Sequence, residues 1–582
     1  MIRYLTTSTG NIFLIIVFSF LVLPVLHVQY SNLCAQPKSN YPGVTIKQIG
    51  IVGQTAIRIR RDPFTANLYL LNDNGNIQKV NFAADGTASF TTLYQTIDHG
   101  LTEPLGMTFD KNGTIYLVGN QTTGGELATG VIMRGVRDSA GSENRIWSVL
   151  AQTVEYPYGH VYNHRMSGLI VDSGGQYLYV NSGARTDHGE IEDSLRETGL
   201  TDIILKLPLN GNNIILQNDR VWLKSNGYLF VEGTRNTFDM AYSANWDLFG
   251  PDNSDDRDDP DELNWLQQGH HYGFPWRIGG DNTPQQYPNY NPHTDPLLNP
   301  ATWGGGNLYQ TYSNDPVYPP PPAGVTFTEP IPSAGPNADN YRDTVTGQVK
   351  EASSLGTTIS TFTPHRSPDG IVFDRDSMLA GDLKGDAFVV SINNNNLVAD
   401  MKDTSDDLLY ISLIKSNGNY TAKVRRLVSG FNSPLGIELV TDTLYILETG
   451  LEAVNTAPKL WEIILPAAQP AAVQERSIIP NSFALYQNYP NPFNPSTIIS
   501  WQLGTSGFVS LKIYDILGNE ITTLVNEYQQ TGRHLVEFNP QSAGGRNYVK
   551  ETFSKGVISS GVYFYRLTVG DFVSSKKMLL LK

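Results

Sequence analysis

The chain has 582 residues, 40% hydrophobic, 10% aromatic and 17% charged, with 53 glycines and 34 prolines. So many residues that interrupt regular structure exclude a coiled-coil or long-helix protein, and the aromatic and aliphatic supply excludes a disordered chain and suffices for two or more domains. The formal charge of −15, with no block of lysine or arginine, argues against a nucleic-acid partner and fits a soluble protein able to bind cations.

At the start of the chain, Arg3 precedes a polar stretch and an apolar run from Ile12 to Val28. This reads as the n-region and h-region of an export signal spanning residues 1–35, with processing after Ala35. The run is long for a signal, so a short membrane anchor is the other reading. Cys34 is the single cysteine, and Leu33 stands where a lipoprotein signal wants a small residue. With no second cysteine, stability has to come from core size and metal ions rather than disulfides.

The body repeats one phrase: NLYLL at 67–71, TIYLV at 114–118, QYLYV at 176–180 and TLYIL at 443–447, each after a cluster of Asp, Asn or Gly. Alternating apolar runs bounded by turn residues are strand signals, and their recurrence predicts one supersecondary unit used many times. A β-propeller of six blades over residues 36–465 allows roughly 72 residues per blade, long for four strands unless loops are elaborated. The Pro- and Tyr-rich stretch at about 275–340 reads as an insertion covering one face, and residues 466–479 as a linker. From 480 to 582, five or six short alternating segments predict a small β-sandwich, which completes an all-β fold class.

In this last region the phrases Asn488-Tyr489-Pro490-Asn491-Pro492-Phe493-Asn494-Pro495, Tyr514-Asp515, Ser560-Gly561-Val562-Tyr563 and Lys576-Lys577 resemble the C-terminal sorting domain of type IX secretion. That resemblance implies the type IX machinery as a partner, and a destination at the cell surface or in the medium.

Strings that would announce phosphate binding, serine hydrolysis, zinc proteolysis or a CxxC centre are absent. Three constellations stand out instead. The first is His164-Arg165-Met166-Ser167-Gly168, where a loop histidine precedes a strand and reads either as a base or as scaffolding. The second runs from Gly233-Thr234-Arg235-Asn236 through Gly250-Pro251 and the loop DNSDDRDDPDE (252–262) to Tyr272. Its crowded carboxylates suit calcium or form a solvated acidic loop. The third is Asp382-Leu383-Lys384-Gly385, which reads locally as surface.

In their order along the chain, these constellations resemble the glucose/sorbosone dehydrogenase family of quinoproteins over about residues 45–465. The resemblance implies a six-bladed propeller that oxidises the C1 hydroxyl of aldoses with pyrroloquinoline quinone (PQQ) and calcium, passing electrons to an external acceptor. It places His164 as the base, with a pKa near 7, and Arg235, Asn236 and Lys384 against the cofactor. The carbonyls of Gly250 and Pro251 fall on the cofactor calcium, and Asp261, Glu262 and Tyr272 on a second, structural calcium. The chain departs from the family pattern at three places: Asn432-Ser433 replaces two arginines that grip the cofactor, Ala184 replaces the aspartate that orients the histidine, and Leu101-Thr102-Glu103 lacks a substrate-side glutamine. These departures keep two alternatives open: a non-catalytic, calcium-stabilised surface propeller that binds glycans, and a calcium-dependent lactonase-like hydrolase.

Overall fold

The computed structural model describes residues 36–124, 127–139, 142–158, 164–299, 308–392, 395–449, 457–468, 483–488, 490–503, 506–529, 532–540, 559–570 and 572–581. The expected export signal with Cys34, and most of the expected linker, lie outside the described residues. The chain divides into two compact units at Gln469 and Pro470.

The first unit is a ring of six antiparallel blades. Blade one runs Ala56–Arg61, Leu68–Asn72, Ile77–Phe82, Ala88–Tyr94, and blade two Pro104–Phe109, Ile115–Gly124, Leu127–Arg137, Arg145–Thr153. Blade three runs Met166–Val171, Tyr177–Ser182, Ile203–Pro208, Leu229–Glu232, and blade four has the three strands Ala241–Tyr242, Leu248–Asp252 and Glu262–Leu266. Blade five comprises Pro368–Phe373, Ala387–Ser391, Asp407–Ser416 and Asn419–Ser429. Blade six takes Pro434–Val440, Thr443–Glu448 and Lys459–Ile464 and is completed by Thr45–Ile51, so the ring closes with a strand from its own beginning. The repeated LYxL-type phrases are the second strands of blades one, two, three and six, buried between sheets that pack face to face.

The innermost strands carry a second repeat. Gly106, Gly168, Gly370 and Gly436 each face the backbone or side chains of the next inner strand. A Cβ on Gly106 would lie 1.9 Å from the Ser167 carbonyl oxygen, and one on Gly370 2.6 Å from that of Leu435. Each of these strands also shifts register beside its glycine, because a bulge bends the strand enough for six to fit around an axis. Gly106→Ala is therefore expected to destabilise the unit by at least 1–3 kcal/mol, the usual cost of overpacking. A thermal midpoint matching the parent's would sink this account of the ring.

Blade one has Arg58 where blades two, three, five and six have glycine. Its guanidinium stacks 3.6 Å over the Phe238 ring and donates to the carbonyls of Leu105 (2.9 Å) and Phe238 (2.7 Å). Just beyond, Arg60 pairs with Asp239 at 2.5 Å. These bonds tie blade one to blade two and to the segment leading into blade four.

The second unit is a β-sandwich. A sheet of Ala484–Leu485, Thr497–Leu503 and Gly532–Phe538 shares a core with a sheet ordered Glu520–Gln529, Gly507–Tyr514, Gly561–Val569, Phe572–Leu580; Ile499 and Trp501 from one meet Leu511, Ile513, Tyr565 and Leu567 from the other. Alternate burial along Thr497–Leu503 is the period-two pattern of a half-buried strand. The Asn488–Pro495 phrase clamps this unit together. Asn488 Nδ2 donates to Thr497 Oγ1 (3.0 Å), Asn491 Oδ1 accepts from Leu579 N (2.8 Å), and Phe493 exchanges backbone bonds with Leu579 and Leu581 (2.9 Å each).

Candidate functional site

The inner strands all enter from one end of the ring, and the residues just ahead of them form its mouth. His164 precedes blade three, Arg235 and Asn236 precede blade four, Ser367 precedes blade five and Asn432-Ser433 precede blade six. His164 is seated against Gly183, where a Cβ would come within 2.5 Å of the histidine Cβ, and its backbone N–H donates to Ala184 O at 3.1 Å. Its Nδ1 is shielded from solvent and has no hydrogen-bond partner among the described residues. Burial, and then the nearby Arg235 guanidinium, push the imidazole down to about 3, far from the expected value near 7.

Arg235 is fixed by both backbone and side chain. The Asp252 carboxylate accepts from its backbone N–H (2.9 Å) and from that of Asn236. The guanidinium donates to Asp187 O (2.8 Å), Asp187 Oδ1 (2.6 Å) and Asn253 O (3.2 Å). Three of its five N–H bonds are thus used, and two have no partner among the described residues. Asp187, 1% exposed, holds no bond to His164; it is the counter-ion of Arg235, whose charge keeps its carboxyl well below the usual range despite burial. Two further glutamates shape its loop: Glu197 accepts from the N–H groups of Arg185 and Thr186 (2.9 Å each), and Glu190 from those of Asp187 (2.9 Å) and His188 (2.8 Å). Sequence alone did not assign Asp187 to Arg235, because the two lie 48 residues apart and only the fold brings them together.

The loop 252–262 is neither solvated nor a ring of free carboxylates. Asp252, Asp255, Asp258, Asp259, Asp261 and Glu262 are all buried. Arg257 pairs with Asp259 (2.7 Å) and Asp295 (2.8 Å), and Asp258 is held by His365 (2.7 Å) and Arg342. The carboxylate of Asp261, expected on a calcium, is spent on protein donors: Ser254 N and Oγ (2.8 Å each), Arg366 N (2.7 Å) and Ser367 N (3.1 Å). Tyr272 likewise uses its hydroxyl within the fold, donating to Trp265 O (2.5 Å) and accepting from Gln267 N (2.8 Å). Among the described residues no group of three or more His, Cys, Asp or Glu is arranged to hold a metal ion.

Glu262 also accepts from protein donors, Asn264 Nδ2 and Gly279 N (2.8 Å each). It sits across the strand pair from Asp252, while Gly250 and Pro251 oppose Asn264 and Leu263. Arg235, Asp252, Glu262 and Tyr272 line one small enclosed space. Burial pushes Asp252 up to about 7 and, together with the Asp252 charge, Glu262 to about 8.

Lys384 does not join this group. It lies in the loop after the first strand of blade five, at the opposite end of the ring from Ser367, and is exposed. At the mouth, blade five contributes Asp369 instead. Burial raises its carboxyl to about 7, with Arg58 opposing. A carboxyl held neutral in the fold binds more protons than in the unfolded chain, so stability falls as pH rises from about 4 to 7, by up to about 1.4 kcal/mol per pH unit. Asp369→Asn is expected to flatten that part of the profile; thermal midpoints at pH 5 and 7.5 check it, and an unchanged difference would refute it.

This is a six-bladed propeller with polar groups from several blades gathered at one end of the ring. The profile of the family described as Glucose / Sorbosone dehydrogenase matches residues 69–305, from blade one into the insertion, and supports kinship with that family over this segment. The match includes His164, Arg235, Asn236, Gly250, Pro251, Asp261, Glu262 and Tyr272 and excludes Lys384. Among solved structures, the chain is similar to the PQQ-bound aldose sugar dehydrogenase of Streptomyces coelicolor (14% identity, TM-score 0.41, 72% of this chain and 98% of that one). It is also similar to the PQQ domain of pyranose dehydrogenase from Coprinopsis cinerea (11%, 0.45, 74% and 97%) and to the soluble aldose sugar dehydrogenase of Escherichia coli (15%, 0.43, 72% and 99%). These are weak likenesses, of fold only. No curated protein matches the chain.

Proposed function

We propose that the propeller is a PQQ-dependent oxidoreductase acting on the C1 hydroxyl of aldose sugars, exported and passing electrons to an external acceptor. The observation that carries this reading is the pairing, inside the family match, of an imidazole whose Nδ1 is unpartnered with a guanidinium that keeps two N–H bonds free. PQQ carries acceptor oxygens, and the remaining N–H bonds of Arg235 and the Asn236 side chain would hold them. Carbonyls of Gly250 and Pro251, with Glu262 nearby, offer the oxygen donors calcium prefers. PQQ, when bound, supplies the hydride acceptor. His164, neutral across the physiological range, would accept the hydroxyl proton, and Arg235 would place positive charge where negative charge develops.

Asn432-Ser433, in the place of a cationic grip on the cofactor, favours a second reading: a surface propeller that binds glycans without turnover. Calorimetric titration of the propeller with PQQ and calcium, followed by dye reduction with aldoses, separates the two. Saturable micromolar binding and aldose-dependent reduction support the oxidoreductase; no binding leaves the glycan reading. The sandwich unit is proposed as the type IX sorting address. A chain lacking residues 470–582 that still reached the cell surface would refute that.

A further inference from the structure

The insertion reaches the mouth through a strap, residues 308–318, that belongs to no blade. Tyr312, fully buried, donates its hydroxyl to Asp187 Oδ2 at 2.7 Å and accepts from Arg257 N at 3.1 Å. Its ring stacks on His188 with centroids 3.8 Å apart, and His188 in turn sets Nδ1 3.1 Å from the same Asp187 oxygen and Nε2 3.3 Å from Thr311 O. Nearby, Tyr318 donates to His188 O (2.8 Å) and Pro275 O (2.9 Å), and Arg196 ties Asp315 at 2.5 Å.

Asp187 therefore has two faces. Oδ1 takes Arg235, and Oδ2 takes the strap through Tyr312 and His188, with Asp256 N bridging at 3.2 and 3.3 Å. Nothing in a ring of blades requires a tyrosine from a distant insertion to bond the counter-ion of the mouth arginine. We propose that Tyr312 is a positioning residue: through Asp187 it sets the Arg235 guanidinium in the orientation that serves the ligand at the mouth. This rests on the oxidoreductase reading and adds a residue to it from outside the family match. A carboxylate deprived of the hydroxyl rotates toward its remaining donors, and the two free N–H bonds of Arg235 turn with it. Misaimed donors cost rate more than substrate affinity, because the charge they meet develops in the transition state.

The test compares Tyr312→Phe with Tyr318→Phe, which loosens the same strap without touching Asp187. Tyr312→Phe is expected to lower kcat about tenfold with the sugar KM within about twofold, the pattern of an interaction made in the transition state, and to weaken PQQ binding measured by calorimetry. Tyr318→Phe is expected to lower the thermal midpoint similarly while leaving kcat and PQQ affinity unchanged. Equal effects of the two variants on kcat and affinity would overturn the positioning role, leaving Tyr312 a plain anchor. A parent that neither binds PQQ nor oxidises aldoses fails at an earlier point and takes this inference down with the function it rests on.

Discussion

Alanine in place of Arg235 is expected to cost the propeller about 3–5 kcal/mol, the range seen when one partner of a buried ion pair is removed. The loss has two parts. Asp187 would keep its buried carboxylate without the cation that holds it low, and the carbonyl oxygens of Asp187 and Asn253 would lose their donors. Arg235→Lys retains the charge but has one nitrogen for three separated acceptors, so an intermediate loss is expected. Thermal and denaturant unfolding of the two variants check this. A change below about 1 kcal/mol for alanine, the value of an exposed pair, would show that the guanidinium is not the keystone of the mouth.

His164→Gln should do the opposite, abolishing function while sparing the fold. Its ring makes no hydrogen bond through Nδ1, so little stability is lost, whereas removal of a general base lowers turnover by about 10²–10⁴-fold. The pH profile carries a sharper expectation. Since burial and Arg235 push the imidazole down to about 3, the base is already deprotonated throughout the neutral and mildly acidic range. Aldose oxidation by the parent should therefore show no acidic limb from this group between pH 5 and 8, whereas an unperturbed histidine would put one near 6.5. Dye-reduction rates over that interval decide it, and a limb centred between 6 and 7 would mean that neither burial nor the guanidinium lowers the imidazole as described.

The propeller was legible in sequence because the second strand of a blade is apolar along its length, buried throughout in TIYLV at 114–118 and at alternate positions in QYLYV at 176–180, so such phrases announce themselves. The inner strands were not, since Gly106, Gly370 and Gly436 imitate turn signals; their glycines answer a neighbouring blade's backbone, which no local window contains. The same distance hid the character of the loop at 252–262. Apart from Arg257 within the loop, its neutralising partners Arg342, His365 and the N–H of Arg366 lie about a hundred residues later, where sequence spacing does not show them. Lys384 failed for a topological reason: a residue one strand too late in a blade lies at the wrong end of the ring. Tyr312 carried no signal at all within its Pro- and Tyr-rich surroundings.

The ring closes where Thr45–Ile51 pairs with Lys459–Ile464. A contact this distant in sequence is formed late, after the loop entropy of the whole unit has been overcome. During synthesis the earliest strand therefore waits, an open edge seeking a partner, until the last blade has emerged. Chains interrupted before residue 459 keep that edge unpaired, so an incomplete product is prone to associate strand to strand with its own copies. For this architecture, timing of completion is as much a condition of solubility as surface charge.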